Sequence, residues 1–600
     1  MAWLEVMVTF GEANYNVLPC CLKITLERST DPSTDRKLRD EATKALVCLL
    51  NNNIGILIDV LTEFEGVNDP YIYERLFATA YGCALLSTDK ASLKSLANYV
   101  FITIFDTESE VYPHILLRDY ARGVIEYAQH LCKDLSININ KCRPPYQSNF
   151  PTSFPTNEEL DTKYKLDFDK NKRYLYSQNN ILSSMTTEYG RGLCAYGDFG
   201  RYTFQSALRA WDVNPDELSN IAVEWIFEKY GYNAELHGEF DSRIGSGRGR
   251  TSSSERIGKK YQWIALHEVL ARVSDNCVMK SDQGWQENNT EPYQGTWQPF
   301  VRDIDPSMLL RYSEWEDEST ETKWWLTEQH ENWAISDKEW IHDHNDLPNP
   351  EALISVVDNN NQEWLVLEGY PEWAEPKVLG KKQWEHPHKR MYYHIRSYIV
   401  SEDECQNLYA WSTKQDFMGR WMPEASDRYQ VFDREYYWSK AHQYFNNYYY
   451  GGLEHHEIDL KGESNNKIEV ILTTCNYLWE KGIDGSIEGS LNILKPSSFI
   501  YNGMGLKPTK NVAEFVNQNN ELCCFSPSIA VKDKAYLLVN KRLFLEYLDS
   551  NKLKVVWTFL GEKNIIGGFR SDEYSGRLEI TGAYKLSAQG LEGVINTKIT

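Results

Sequence analysis

The sequence lacks the signals that direct a chain into a membrane or an oxidising compartment. No apolar run reaches the roughly 18 residues of a membrane-spanning helix, and the first twenty residues lack the basic start and apolar core of a signal peptide. The twelve cysteines are scattered, and no CxxC motif occurs. We therefore expect reduced thiols, no structural zinc and a cytoplasmic location.

Positive charge is also scarce. The chain carries 63 Lys and Arg against 86 Asp and Glu, which gives a net charge of −23 at pH 7. A surface of this sign repels phosphate backbones and anionic lipids, so we expect no membrane partner and no general nucleic-acid binding. At 600 residues the chain is too long for one core and should form three or four domains.

Successive amphipathic helices are predicted near the N-terminus, at residues 36–50, 54–64, 70–86, 91–105 and 115–132. The phrase Leu38-Arg-Asp-Glu-Ala42 returns as Leu117-Arg-Asp-Tyr-Ala121. Because Arg39, Arg75 and Arg118 recur at intervals of 36 and 43 residues, we predict a solenoid of HEAT or armadillo type. An irregular helical bundle is the alternative. The chain begins with apolar residues and no polar capping helix, so we expect it to be the C-terminal part of a larger protein.

Four segments follow from these patterns. We predict a HEAT-like segment at 1–142, a proline-rich linker or strap at 143–200, an α+β middle domain at 201–345 and a β-rich α+β domain at 346–600. The last segment contains strand-like runs at 354–357, 364–367, 391–400, 468–474, 535–539, 555–560 and 578–581, and a short helix at 541–549.

The clearest single helix is predicted at Glu255–Asn276. Trp263, Leu266, Leu270 and Val273 recur at steps of three and four and form one face for burial, while the other face stays polar. The preceding loop, residues 243–250, has three glycines that can turn N–H groups outward between its arginines. The candidate partner-binding residues are Arg243, Arg248, Arg250, Arg256, Lys259, Lys260 and Trp263. The alternative is that these cations pair with the chain's own carboxylates.

No catalytic motif is complete. His267-Glu268 begins an HExxH-like phrase, but Ala271 stands where the second zinc ligand belongs, so we interpret His267 as a surface or capping residue. Glu239, Asp241, Glu255 and Lys259 are the residue types of a magnesium-dependent PD-(D/E)xK nuclease, but Ile257 stands where that pattern needs a carboxylate. The histidine pairs 342/344, 386/388 and 455/456 have no assignable third ligand. We predict no catalytic residue, metal site or cofactor in this chain.

Five phrases in order resemble the C-terminal half of the AVAST (Avs) antiphage proteins, which are STAND NTPases. The phrases are Asp69–Gly82, Phe199–Leu208, Glu255–Ala265, Trp297–Pro306 and Phe417–Glu424. The resemblance implies a sensor that binds a phage protein, either the terminase large subunit or the portal, and so triggers homo-oligomerisation, as a tetramer, and effector activation. ATP and Mg²⁺ would bind in the ATPase part of the parent protein, which this chain lacks. The alternatives are a nuclease and a non-enzymatic scaffold.

Overall fold

A computed structural model describes residues 36–67, 69–167, 172–188, 197–209, 211–244, 255–280, 290–291, 304, 306–307, 324–328, 330, 332–376, 386–418, 454–460, 467–478, 492–509, 513–527, 536–567 and 576–600. These residues form two compact units, a helical unit up to residue 307 and a sheet unit from residue 324 onward. This division is coarser than the four segments predicted from the sequence. None of the helices in the described ranges combines the length and apolar character needed to cross a membrane.

Helices make up nearly all of the helical unit. They are α1 Arg36–Leu50, α2 Ile54–Glu63, α3 Pro70–Leu86, α4 Lys90–Val100, α5 Ile115–Leu131, α6 Asn157–Tyr164, α7 Ser177–Ser184, α8 Gln205–Leu208, α9 Pro215–Glu224, α10 Ala234–Ile244 and α11 Ile257–Asn276. Short π-helical turns extend α4 and α9 and precede α8, at Phe101–Phe105, Trp225–Lys229 and Gly200–Phe204. A short hairpin of β1 Met279–Lys280 and β2 Thr290–Glu291 follows α11.

Local capping fixes where several of these helices begin. The Asp69 side chain accepts from the N–H groups of Tyr71 and Ile72, with Pro70 at the first helical position. The Asp89 carboxylate caps α4 in the same way. Thr156 opens α6 with a capping box that Glu159 completes. These caps are local signals, which explains why the predicted helices α1 to α5 are confirmed within a few residues of their bounds.

The helices pack in two layers at the start of the unit. Helix α3 packs between α1 and α5, while α2 packs against α4. Close approach depends on two glycines: a Cβ on Gly82 would lie 2.7 Å from Val47 Cγ2, and one on Gly123 would lie 2.5 Å from the Tyr81 ring. The packing of α3 against α1 and against α5 therefore leaves no room for a larger residue at either glycine.

Two sequence-based expectations about the later helices are wrong. No helix was predicted at residues 234–244, which form helix α10, and the loop predicted at 243–250 begins inside that helix. Helix α11 is buried on more than one face, because Gln262, Glu268 and Arg272 are buried together with Leu266 and Leu270. A helix with charged residues inside needs partners for them.

The described residues of the sheet unit form five short helices and fifteen strands. The helices are α12 Asp337–His342, α13 Pro350–Ile354, α14 Cys405–Ser412, α15 Ser498–Gly503 and α16 Lys541–Ser550. The strands are β3 Ser355–Val357, β4 Glu363–Gly369, β5 Glu372–Ala374, β6 His388–Ser401, β7 His455–Asp459, β8 Lys467–Leu472, β9 Thr474–Leu478, β10 Asn492–Pro496, β11 Lys507–Pro508, β12 Glu514–Val516, β13 Leu522–Phe525, β14 Tyr536–Asn540, β15 Leu553–Ile566, β16 Leu578–Ser587 and β17 Gly590–Ile599.

Thirteen of these strands form one antiparallel sheet. Its main path runs β11-β12-β13-β14-β4-β6-β15-β16-β17, with β3, β5, β7 and β8 attached beside it. Strands β6 and β15 pair along their whole length, from Leu553 opposite Ser401 to Ile566 opposite His388. Both strands are buried on both faces over most of their length, so they form the centre of this unit.

Aromatic clusters cover the sheet. Trp324, Trp364 and Phe525 pack against one another, with the rings of Trp364 and Phe525 at 5.0 Å and nearly perpendicular. The rings of Trp333 and Trp340 form a second aromatic contact, with centroids 5.9 Å apart. The predicted order, helices first and an aromatic-rich, sheet-containing part second, is confirmed in these coarse terms.

Candidate functional site

Helix α11 begins on a carboxylate supplied by helix α10. Asp241, only 2% exposed, accepts the N–H of Ile257 on Oδ1 at 2.5 Å and the N–H of Gly258 on Oδ2 at 2.9 Å. The Tyr232 hydroxyl also donates to Oδ2, at 2.9 Å. A negative charge at a helix N-terminus satisfies N–H groups that have no intrahelical partner and interacts well with the helix dipole. Asp241 therefore joins α10 to α11 whatever path the intervening loop takes.

The first turn of α11 carries lysines that contact carboxylates of this chain. Glu255 lies 2.9 Å from Lys259 Nζ and 3.6 Å from Arg39 of helix α1. Lys260 Nζ lies 5.0 Å over the ring of Tyr71 and 3.9 Å from an oxygen of Asp69. For Lys259 and Lys260, the structure thus shows the internal pairing that the sequence analysis kept as the alternative.

Trp263 joins this turn to the core. It is half-buried, so its predicted place on the buried face is only partly right. Its ring meets Phe199 edge to face at 5.1 Å and lies 5.7 Å from the ring of His267. His267 itself is buried against His114, with ring centroids 4.9 Å apart, so its interpretation as a surface or capping residue is wrong.

His114 is the capping histidine in this part of the unit. Its Nδ1 accepts the N–H of Leu117 at the start of α5. Burial, together with the nearby His267 and Arg118, lowers the pKa of His114 well below its usual value. The neutral imidazole is the form that can accept this hydrogen bond, so burial and capping favour the same state.

The remaining predicted cations lie at or beyond the end of α10. Arg243 is 75% exposed and lies 3.1 Å from Glu239, one turn earlier. Arg256 is partly exposed at the N-cap position of α11. Arg248 and Arg250 lie outside the described residues. The structure therefore leaves Arg243 as the most solvent-accessible of the predicted cations that it describes.

The outer face of α10 exposes an apolar side chain beside Arg243. Leu236 is 73% exposed, seven residues before Arg243 on the same helix face, and the partly exposed Phe240 lies between them. The inner face is held closely, because a Cβ on Gly238 would lie 2.5 Å from the backbone oxygen of Tyr174. We define Leu236, Glu239, Phe240 and Arg243 as the α10 surface.

No protein-family model matches this chain, and no curated protein matches it. Three of the five resembling phrases meet around the start of α11. The phrase Glu255–Ala265 contains this start. Asp69–Gly82 contacts it through Tyr71 and Lys260, and Phe199–Leu208 contacts it through Phe199 and Trp263. Most of these residues are buried, so the phrases describe a core more than a binding surface.

The four residues of the nuclease alternative have structural contacts here. Asp241 accepts three hydrogen bonds, Glu239 pairs with Arg243, and Glu255 pairs with Lys259. Within the described ranges, no three His, Cys, Asp or Glu side chains are grouped as metal ligands. His344 contacts Thr597 and His455 contacts Glu469.

The second half of α11 is fixed by a buried ionic network. Glu268 accepts from Lys229 Nζ at 2.5 Å and from Arg272 Nε at 2.7 Å, and the Tyr230 hydroxyl donates to it as well. Arg272 extends the network to Glu110 and to the backbone oxygen of Asn149 in the proline-rich segment. Burial alone would lower the pKa of Arg272, but Glu268 and Glu110 outweigh it and raise that pKa.

Sequence analysis missed a polar cluster inside the sheet unit. Glu368 on β4 is 1% exposed and accepts from the hydroxyls of Thr474 and Tyr370, while His394 Nε2 lies 3.6 Å from it. The Tyr370 ring stacks on His394 at 4.1 Å. The sequence signal was Glu368 directly after the apolar run 364–367 and His394 within the strand-like run 391–400. The cluster ties β4, β6 and β9 together across the sheet interior.

Replacing Asp241 by alanine should destabilise the helical unit by about 1–3 kcal/mol, because three buried donors lose their acceptor. Asp241→Asn should lower the free energy of unfolding less, since the carbonyl oxygen of the asparagine side chain can still accept a hydrogen bond from one of these donors. Chemical denaturation followed by circular dichroism measures both losses. If both variants unfold like the wild type, Asp241 does not hold the start of α11.

Proposed function

We propose that this chain is the recognition module of a STAND-type antiphage protein and acts by binding, without catalysis of its own. Its partner would be a phage packaging protein, either the terminase large subunit or the portal, met in the cytoplasm. The resemblance of the five phrases supports the proposal. The nine described free cysteines suit a reducing compartment.

We further propose that helices α1 to α5 are HEAT-like repeats. The arrangement of α1, α3 and α5 beside α2 and α4 supports this, as do the repeat arginines, which are all buried. Arg75 of α3 pairs with Asp40 of α1 at 2.9 Å, a contact from one repeat to the next. In a solenoid each repeat contacts mainly its neighbours, and such links keep the extended surface rigid.

The observation that carries the binding proposal is the α10 surface. Leu236 is 73% exposed, and Arg243 beside it is 75% exposed. Their helix is fixed by its close packing at Gly238 and by the hydrogen bonds of Asp241 to α11. Because the backbone of this helix is already held, a partner that covers the pair has to order only side chains. Arginine is enriched among the residues that anchor protein interfaces, and apolar contact forms the core of such interfaces. The partner surface it fits is an apolar patch beside carboxylates.

The test is binding of the full chain to each purified phage protein, measured by calorimetry. The variant Arg243→Glu should weaken binding by about tenfold or more, equivalent to about 1.4 kcal/mol. The matched control is Lys165→Glu. Lys165 is 62% exposed and pairs with Asp161 at 3.1 Å, four residues earlier, as Arg243 pairs with Glu239. The control should bind like the wild type, and both should keep its melting temperature.

Two outcomes would contradict the proposal at different levels. If neither phage protein binds the wild type, the sensor function is wrong. If one binds and Arg243→Glu has no effect, the chain is a sensor but the α10 surface is not its contact.

A further inference from the structure

The two ends of the large sheet differ in how they present backbone hydrogen-bonding groups. At one end, β11 is two residues long and contains Pro508. At the other end, β17 runs for ten residues without proline and, among the described residues, pairs only with β16. Short length and proline protect a sheet edge from further pairing, whereas a long regular strand invites it.

The register of β16 and β17 determines which groups face outward. Arg577 and Thr600 exchange both backbone hydrogen bonds at 3.0 Å, directly beyond the pair Leu578 and Ile599. In an antiparallel pair such positions alternate. The even-numbered residues of β17 therefore bond to β16, and the odd-numbered residues direct their N–H and C=O groups to the free edge. These outward residues are Leu591, Gly593, Ile595, Thr597 and Ile599.

We propose that β17 is a dimerisation edge and pairs antiparallel with β17 of a second copy of this chain, about a two-fold axis at Ile595. This inference is independent of the proposed function and does not use the α10 surface. In this register Ile595 lies opposite Ile595 of the second copy, and Leu591 lies opposite Ile599 of the second copy. Each of the five outward residues of one copy then pairs with an outward residue of the second copy. Each pair exchanges two backbone hydrogen bonds, which gives ten in total.

Charge complementarity selects this register. It places Glu592 opposite Lys598 of the second copy, twice, at non-hydrogen-bonded positions, where side chains come closest. Within one copy, Lys585 lies 2.8 Å from Glu592, and Glu579 lies 3.9 Å from Lys598. The dimer would therefore carry alternating charges across four strands. The order is Lys585 on β16 and Glu592 on β17 of one copy, then Lys598 on β17 and Glu579 on β16 of the second copy. A shift of the two-fold axis by one residue would leave the charges opposite neutral residues.

Side-chain exposure is compatible with this partner. Val594 is 39% exposed and Ile599 is 41% exposed, and Glu592 and Lys598 are exposed as well. A strand whose apolar and charged side chains both remain accessible can bury them against an identical strand. The contact is self-complementary, as a two-fold dimer requires.

Sedimentation of the full chain from about 1 µM to about 100 µM tests the dimer. The measurements are made at 0.15 M salt, where a Debye length of about 8 Å screens the net charge. The wild type should dimerise within this range. Glu592→Lys alone and Lys598→Glu alone should each weaken the dimer at least tenfold, because each places like charges opposite each other twice. An equimolar mixture of the two variants should dimerise like the wild type, since both cross-strand pairs are then of opposite sign.

The mixture separates a lost contact from a lost fold, because misfolded variants would not recover on mixing. Ile595→Pro gives a second measurement: it removes an outward N–H without removing a bond to β16, and it should also weaken the dimer. A wild type that stays monomeric at about 100 µM overturns the proposal. A dimer that neither charge variant weakens, or variants that fail to associate when mixed, shows that β17 is not the contact.

Discussion

Replacement of Arg118 by alanine should lower the free energy of unfolding of the helical unit by about 3–5 kcal/mol. Arg118 is 3% exposed, and its guanidinium bonds Asp275 at 2.8 Å, the Tyr112 oxygen at 2.7 Å and the Val111 oxygen at 2.6 Å. Its removal leaves the side chain of Asp275, which is fully buried, without its cation. A buried charge that loses its partner costs far more than an exposed one.

The control for Arg118 is Lys94→Ala. Lys94 also pairs with an aspartate, Asp134 at 2.5 Å, but both side chains are solvent-accessible, so water replaces the lost contact and little change is expected. Urea denaturation of both variants gives the comparison. The double variant Arg118→Met with Asp275→Leu should be less destabilised than the two single losses added together, because it removes the isolated charge. If Arg118→Ala and Lys94→Ala lower the free energy of unfolding equally, the buried pair of Arg118 and Asp275 stabilises the unit no more than an exposed pair does.

The same arginine shows what sequence could and could not predict. Its position in a repeated phrase helped to locate α5, because helix period and capping are local signals. Its partner Asp275 is distant in the sequence, on a helix for which only one face was predicted to be buried. Charged residues at helical spacing indicate a solvent-facing side, and only the packing of α5 and the proline-rich segment against α11 reverses that expectation.

The candidate site was predictable to a similar extent. The sequence located the basic residues at the start of α11, but the approach of Lys260 to Asp69 depends on how α11 packs beside the start of α3. Helix α10 was missed, because its buried face consists of Ala234, Gly238 and Asp241, which give no apolar period. The long-range pairing of β6 with β15 likewise has no local signal. The positions of seven of the fifteen described strands of the sheet unit could be predicted, whereas the strand order could not.

Replacement of Lys563 by methionine should destabilise the sheet unit by about 3–5 kcal/mol. Lys563 is fully buried on β15, and its Nζ donates to Asp346 at 2.7 Å and to the Asp343 oxygen at 2.9 Å, 4.5 Å over the ring of Trp340. Burial lowers the pKa of Lys563, and Asp346 opposes that shift. Methionine fills similar space but leaves Asp346 without its ammonium group, so the described 332–346 segment loses a main attachment to the sheet.

Tryptophan fluorescence should report this loss, because Trp340 lies beneath the ammonium group and Trp333 packs beside it. Lys554→Met is the matched control on the same strand: Lys554 is 35% exposed and pairs with Asp549 and Glu402 at the surface, so little change is expected. Adding Asp346→Asn to Lys563→Met should recover part of the stability, since the asparagine carries no charge to isolate. If Lys563→Met unfolds like Lys554→Met and leaves the fluorescence unchanged, the segment is held by its aromatic packing and not by the buried pair.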